Sequence, residues 1–213
     1  MKIAVLISGR GSNLQSLINA QTRGSLSAEI SLVISNIPNA TGLERAIRAG
    51  IPTKTISHRD FLDRRDFEGA INIALLEAQI ELVCLAGFMR LLTDSFVNKW
   101  ADRLVNIHPS LLPSFKGLNT HERALDAGVR FTGCTVHFVR SEMDSGPVIL
   151  QAAVPILPDD DADSLAARVL EQEHIIYPLA VDMIASGRIL VENGQVKIKD
   201  AGLPDAPLIN PSG

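Results

Sequence analysis

Short apolar runs alternate with helically spaced segments along most of the chain. Residues 2–8 (KIAVLIS) are almost uniformly apolar and rich in branched side chains, which predicts a strand buried on both faces. Leu14, Leu17 and Ile18 then recur at helical spacing. Residues 28–36 (AEISLVISN) predict a second strand, and 42–50 (GLERAIRAG) a short helix closed by Gly50. Residues 51–57 (IPTKTIS) form a weaker strand pattern. A helix over 64–79 puts Phe67, Ile71, Ala74 and Leu75 on one face. ELVCLAG (81–87) reads as another buried strand and SFVNKW (95–100) as a short helix. This alternation, with short connections, predicts an α/β fold: a Rossmann-like, three-layer arrangement with helices on both faces of a largely parallel sheet.

After residue 130 the pattern changes. TGCTVHFV (132–139) and PVILQAAVPI (147–156) are long strand patterns joined by RSEMDSG, which predicts an antiparallel pair and hence a mixed sheet. Residues 161–187 predict a long helix, with acids at its start, Gly187 at its end and a bend near Pro178. Asn193-Gly194 between alternating residues predicts a hairpin over 188–198. The proline-rich end, 201–213, has little to pack and is expected to be mobile.

Composition narrows the function. The chain has 213 residues, 46% of them hydrophobic, enough for one sizeable core. Its net charge is -4 with no basic run, which argues against a nucleic-acid partner held by phosphate neutralisation. No apolar run reaches the length of a membrane span. The N-terminus enters a strand pattern at once, without a signal-peptide layout, so a cytoplasmic location is expected. Cys84 and Cys134 each sit inside an apolar run and read as buried free thiols.

Two stretches carry chemistry. SGRGSN (8–13) lies between the first strand and the first helix, where an open α/β sheet binds anions. The dinucleotide fingerprint fails, because Leu14 stands where the third glycine would fall and no acid ends the second strand. The phosphate-loop Lys-Ser/Thr pair is absent as well. Two readings remain: a small phosphate monoester held by the N–H groups of Gly11, Ser12 and Asn13 and the Ser12 hydroxyl, or a tight turn with a Ser or Asn helix cap.

The second stretch is LVNIHPSLLPSFKG (104–117). Residues two apart on a strand point to one face, about 7 Å apart. Asn106 and His108 therefore look into one space while Val105 and Ile107 look the other way, and Pro109 ends the strand. An amide donor beside an imidazole suits attack on a carbonyl, the amide holding the oxyanion and the ring moving a proton. The alternative is a histidine that merely closes a strand. No nucleophile elbow accompanies the pair, so direct transfer of a carbonyl-type group is expected, without a covalent enzyme intermediate. His58, His121, His137 and His174 lack metal-ligand spacing, so no metal is expected, and His137 reads as structural. Asp144, the acid in a Gly-bounded turn, is a candidate partner for His108.

SGRGSNLQ, LAGFMRLL, NIHPSLLPSFKG, GCTVHFV, MDSGPVILQ and QEHIIYP together resemble the folate-dependent phosphoribosylglycinamide formyltransferases, over residues 1–190 in the same order. The resemblance implies a single formyltransferase-fold domain over 1–190, with a nucleotide-binding half (1–100) and a catalytic, folate-binding half (101–190). A hairpin and tail follow over 191–213. It implies transfer of a formyl group from 10-formyltetrahydrofolate to the amine of glycinamide ribonucleotide, in de novo purine (IMP) synthesis. Asn106, His108 and Asp144 look like the catalytic trio, with Asp144 stabilising the charged ring of His108. Gly11, Ser12 and Asn13 would hold the phosphate and Glu173 the ribose. Met89, Arg90, Leu91, Leu92, Asn106, the 140–144 loop (Arg140, Ser141, Glu142, Met143, Asp144) and Arg64 would line the folate site. Asn119 departs from the family pattern, which has histidine there.

The resemblance further implies a monomer or weak homodimer. A tRNA formyltransferase would carry a second, RNA-contacting domain, and a formylfolate hydrolase a regulatory domain before the first strand; neither is expected here. A non-catalytic phosphometabolite-binding module on the same fold is the reading from another class.

Overall fold

The structure, a computed structural model, describes residues 1–202 and 208–211. Its first strand, β1 (Lys2–Ile7), is followed by helix α1 (Ser12–Thr22), β2 (Glu29–Ser35), α2 (Thr41–Arg48) and the short β3 (Thr53–Thr55). Next come α3 (Arg64–Glu77), β4 (Leu82–Leu85), α4 (Asp94–Lys99) and β5 (Leu104–His108). The second part holds α5 (Thr120–Asp126), β6 (Phe131–Phe138), β7 (Val148–Pro155), α6 (Ala162–Ala185) and the hairpin β8 (Ile189–Glu192) and β9 (Gln195–Ile198).

Seven strands form one sheet in the order β3-β2-β1-β4-β5-β6-β7. The first five pair in parallel, and β6 and β7 add antiparallel. This is the mixed α/β architecture that the sequence pattern predicts. Strand alternation sorts the core into two layers. Ile3, Val5, Ile7, Val105 and Ile107 join α1, α2 and α6, whereas Ala4, Leu6, Val83, Leu85 and Leu104 join α3 and α4. Strands β1 and β4 are covered on both faces and must be apolar on both, which is why their runs lack polar alternation.

The strand order reverses at β1 and β4, so a crevice opens between their carboxyl ends. The loops 8–11 and 86–93 leave from that crevice.

The long helix runs continuously from Ala162 to Ala185 with Pro178 inside it. The Asn193-Gly194 turn has both residues at positive φ, as a type I′ hairpin turn needs. Ile189, Val191 and Val196 pack on the main core, so the hairpin is an extension of the domain, and its first strand begins before residue 191. Residues 203–207 and 212–213 of the tail expected to be mobile lie outside the described residues. Within the described part, Asn210 donates to the carbonyls of Arg130 and Ile156. Cys84 and Cys134 are free and buried, and burial pushes both thiols up to about 12. Among the described residues no helix is long and apolar enough to cross a membrane.

Candidate active site

At the carboxyl end of β5, Asn106 and His108 face a cavity of about 750 Å³. The turn after β6 brings Asp144 to the same cavity, at a backbone φ of 50°. Asp144 Oδ2 lies 3.5 Å from His108 Nδ1 and accepts from the Gly117 N–H at 2.8 Å. On the far edge of the ring, His108 Nε2 lies 3.1 Å from the Phe115 carbonyl. Both ring nitrogens thus meet oxygen acceptors, and the ring is fixed in plane. The 109–115 segment that supplies the Phe115 carbonyl is itself pinned. Thr135 Oγ1 donates to Ser110 O and accepts from Leu112 N–H, and Gln151 Nε2 donates to Leu112 O.

His137 belongs to this constellation and not only to the strand core. Antiparallel pairing sets it opposite Asn106, and Asn106 Nδ2 lies 3.3 Å from its Nε2. His137 Nδ1 lies 3.0 Å from the Phe138 carbonyl, a group that can only accept, so the ring proton sits on Nδ1. Nε2 is then a lone pair, which accepts from the Asn106 amide. Burial holds the His137 pKa below the ordinary imidazole value, against smaller opposing effects of the Phe138 carbonyl and Asp144, which favours the neutral ring. This orients the amide with nitrogen toward His137 and leaves its second N–H without a partner among the described residues. His137→Phe should therefore lower kcat about fivefold to tenfold, the worth of one orienting hydrogen bond. KM should stay unchanged in steady-state kinetics; a kcat equal to wild type would remove His137 from the site.

The cavity wall is mostly apolar. Met89, Arg90, Leu91 and Leu92 line one side, and Arg140, Ser141 and Met143 another. Two expected members are not brought there. Arg64 is the exposed first residue of α3 and lies outside the lining, because its helix packs through Phe67 and Ile71 and turns its start to solvent. Glu142 also lies outside the lining and pairs with Lys116 at 3.0 Å. Asn119 does line the cavity, at a φ of 54° that asparagine tolerates well. His121 lines it too, with its Nδ1 buried and unpartnered among the described residues.

Gly11, Ser12, Asn13 and Glu173 form an adjoining patch at the start of α1, outside that lining. Gly11 is the N-cap, at a φ of 67°, and no side chain caps the helix. The reading of a Ser or Asn cap is thus not what the fold adopts, and the first-turn N–H groups stay free of side chains. Gly11 is obligatory here: a Cβ would stand 2.7 Å from the Gly42 Cα, besides the strained φ. Asn13 is buried and donates from Nδ2 to Glu173 Oε2 at 2.7 Å. Arg45, unforeseen in the sequence, lies against this loop, donating to Arg10 O and Gln15 Oε1.

Fold and site together define an α/β group-transfer protein, with an amide donor and a His–Asp pair at the exit of a central strand. The comparisons with known proteins agree. The family model described as formyl transferase matches residues 1–181, and the chain belongs to that family. It is 43% identical to phosphoribosylglycinamide formyltransferase of Haemophilus influenzae, over 98% of this chain and 99% of that protein. It is 52% identical to the human trifunctional purine biosynthetic protein adenosine-3 over 92% of this chain, but spans only 19% of that longer protein. The crystal structure of glycinamide ribonucleotide transformylase 1 from Symbiobacterium toebii superposes with a TM-score of 0.92 at 44% identity, covering 94% of each chain.

Proposed function

We propose that this chain transfers the formyl group of 10-formyltetrahydrofolate to the amine of glycinamide ribonucleotide, a step of purine synthesis in the cytoplasm. The observation that carries the reading is the convergence of Asn106, His108 and Asp144 on one cavity beside an uncapped helix N-terminus.

In this mechanism the amine lone pair attacks the formyl carbon, and the carbonyl π pair moves onto oxygen. The free N–H of Asn106 donates to that oxyanion, in an orientation already set by His137. His108 manages the proton that leaves the attacking ammonium, exchanging its Phe115 bond for the reacting group, and Asp144 stabilises the charged ring. The carbon–N10 bond then breaks, and N10 of the folate takes the proton. The apolar wall of Met89, Leu91, Leu92 and Met143 suits a flat heterocycle, and Arg90 supplies a cation toward an acidic tail, whereas Arg140 is paired with Asp102. The phosphate would sit on the N–H groups of Gly11, Ser12 and Asn13, near Arg45, with Glu173 accepting from the ribose.

The deciding assay mixes the chain with a formylfolate analogue, with and without glycinamide ribonucleotide. Folate release only with the amine is the expected result. Release without it would indicate a hydrolase, and no release a binding module. Ser12→Asp tests the phosphate patch separately. A carboxylate there meets the phosphate at close range, so KM for the ribonucleotide should rise more than tenfold while KM for the folate stays within about twofold. Equal rises in both would show that the loop is not a dedicated phosphate site.

A further inference from the structure

Ser8 follows the last residue of β1 and opens the 8–13 loop, and it reaches across the crevice between β1 and β4. Its N–H donates to Gly87 O at 3.1 Å, and its Oγ accepts from the Met89 N–H at 2.8 Å. The same hydroxyl donates to Asn36 Oδ1 at 2.6 Å. Asn36, just beyond β2, is 1% exposed, and its Nδ2 lies 3.2 Å from His58 Nδ1. The hydroxyl proton of Ser8 is thus committed to a buried amide, which aims its lone pair at Met89.

The base of the loop that receives this bond is packed, since Phe88 is buried in the α3-side core and Leu92 packs against it, but the tip between them is not. Met89 is 68% and Leu91 63% exposed, so apolar packing does not fix the tip. Its far end is tied by Glu68, a buried acid of α3, which accepts from both the N–H and the hydroxyl of Thr93. Between the two ties, Arg90, Leu91 and Leu92 make no hydrogen bond within the protein among the described residues.

We propose that Ser8 is a positioning residue: it sets the folate-facing loop 87–93 in place and joins it to the phosphate-facing loop 8–13. The role rests on the reading that formylfolate occupies the cavity. Ser8 lies outside the cavity lining, so its hydroxyl acts through the placement of Met89–Leu92. Losing one orienting bond should weaken folate binding about fivefold to tenfold.

The test compares the full chain with Ser8→Ala and Ser8→Thr, the second of which keeps a hydroxyl. Two quantities are measured: amide hydrogen exchange of the 87–93 segment without ligand, and the Kd of a folate analogue whose formyl group cannot be transferred. In Ser8→Ala, exchange over 87–93 should accelerate and the Kd should rise fivefold to tenfold, with KM for the ribonucleotide close to wild type and the melting temperature lowered by only a few degrees, because Asn36 Oδ1 loses its donor. Ser8→Thr should restore both quantities toward wild type. Unchanged exchange in Ser8→Ala overturns the proposal whatever the ligand does. Faster exchange with an unchanged Kd overturns it too, leaving a purely structural bond. If the wild type itself binds no folate analogue, the functional reading fails and takes this role with it; the ligand-free exchange data separate that outcome from a failure of Ser8 alone.

Discussion

Asp144→Asn is expected to fold normally and to lose about a hundredfold in kcat. The fold should survive for two reasons. Asp144 sits at a φ of 50°, a left-handed conformation that asparagine adopts as readily as aspartate. In addition one oxygen, Oδ2, serves both contacts: it accepts from Gly117 N–H at 2.8 Å and faces His108 Nδ1 at 3.5 Å. An amide oxygen placed there keeps both, so the substitution removes the charge and little else. The charge matters because the proposed step passes through a positively charged His108 ring, and the pair is largely shielded from water, with Asp144 only 12% exposed. General acid–base catalysis contributes ~10²–10⁴ in rate, and loss of the supporting charge should remove the lower part of that range. Steady-state kinetics with a thermal melt checks it. Wild-type turnover would sink the role assigned to Asp144, and a large drop in melting temperature would show that the residue is structural.

Much of this site was legible because strand geometry is simple. Asn106 and His108 share a face by the period of two, and Pro109 marks the strand exit. What escaped depended on pairing between distant segments. His137 alternates in its strand like any core residue, and only the antiparallel register that sets it opposite Asn106 makes it part of the site. Glu68 lies on the apolar face of α3, and its donor Thr93 comes from a separate loop, so nothing in the local pattern justifies a buried acid there. Helix α5 buries only Thr120 and Ala124, two small residues that leave no visible periodicity. Arg64 and Glu142, which resemblance attached to the folate site, are exposed and lie outside the cavity lining, a placement that local sequence does not reveal.

Glu173 offers the other large expected effect, and it divides between binding and stability. Glu171 and Glu173 diverge on α6 as helical spacing requires: Glu171 is exposed, and Glu173 is buried against Asn13. If Glu173 accepts from ribose hydroxyls, those charge-assisted bonds are typically worth ~1.5–3 kcal/mol. Glu173→Ala should then weaken ribonucleotide binding about tenfold to a hundredfold, raising KM more than it lowers kcat, while Glu171→Ala stays near wild type. Burial also raises the Glu173 pKa above its ordinary 4.5, partly offset by the Asn13 bond. A carboxyl raised in this way keeps its proton in the folded chain when the unfolded chain has released it. Its contribution to stability is therefore full below pH 4.5 and is lost as the pH climbs through the folded value. Glu173→Gln is neutral at every pH. It keeps an oxygen for the Asn13 Nδ2–H, and its amide N–H can turn toward Asn13 Oδ1, which is buried without a partner among the described residues. The variant should melt level with wild type in acid and above it near neutral pH, yet bind the ribonucleotide more weakly. A structural acid would show the reverse pairing, with lower stability near neutrality and unchanged binding, so melting curves across pH together with the ribonucleotide Kd decide which kind of residue Glu173 is.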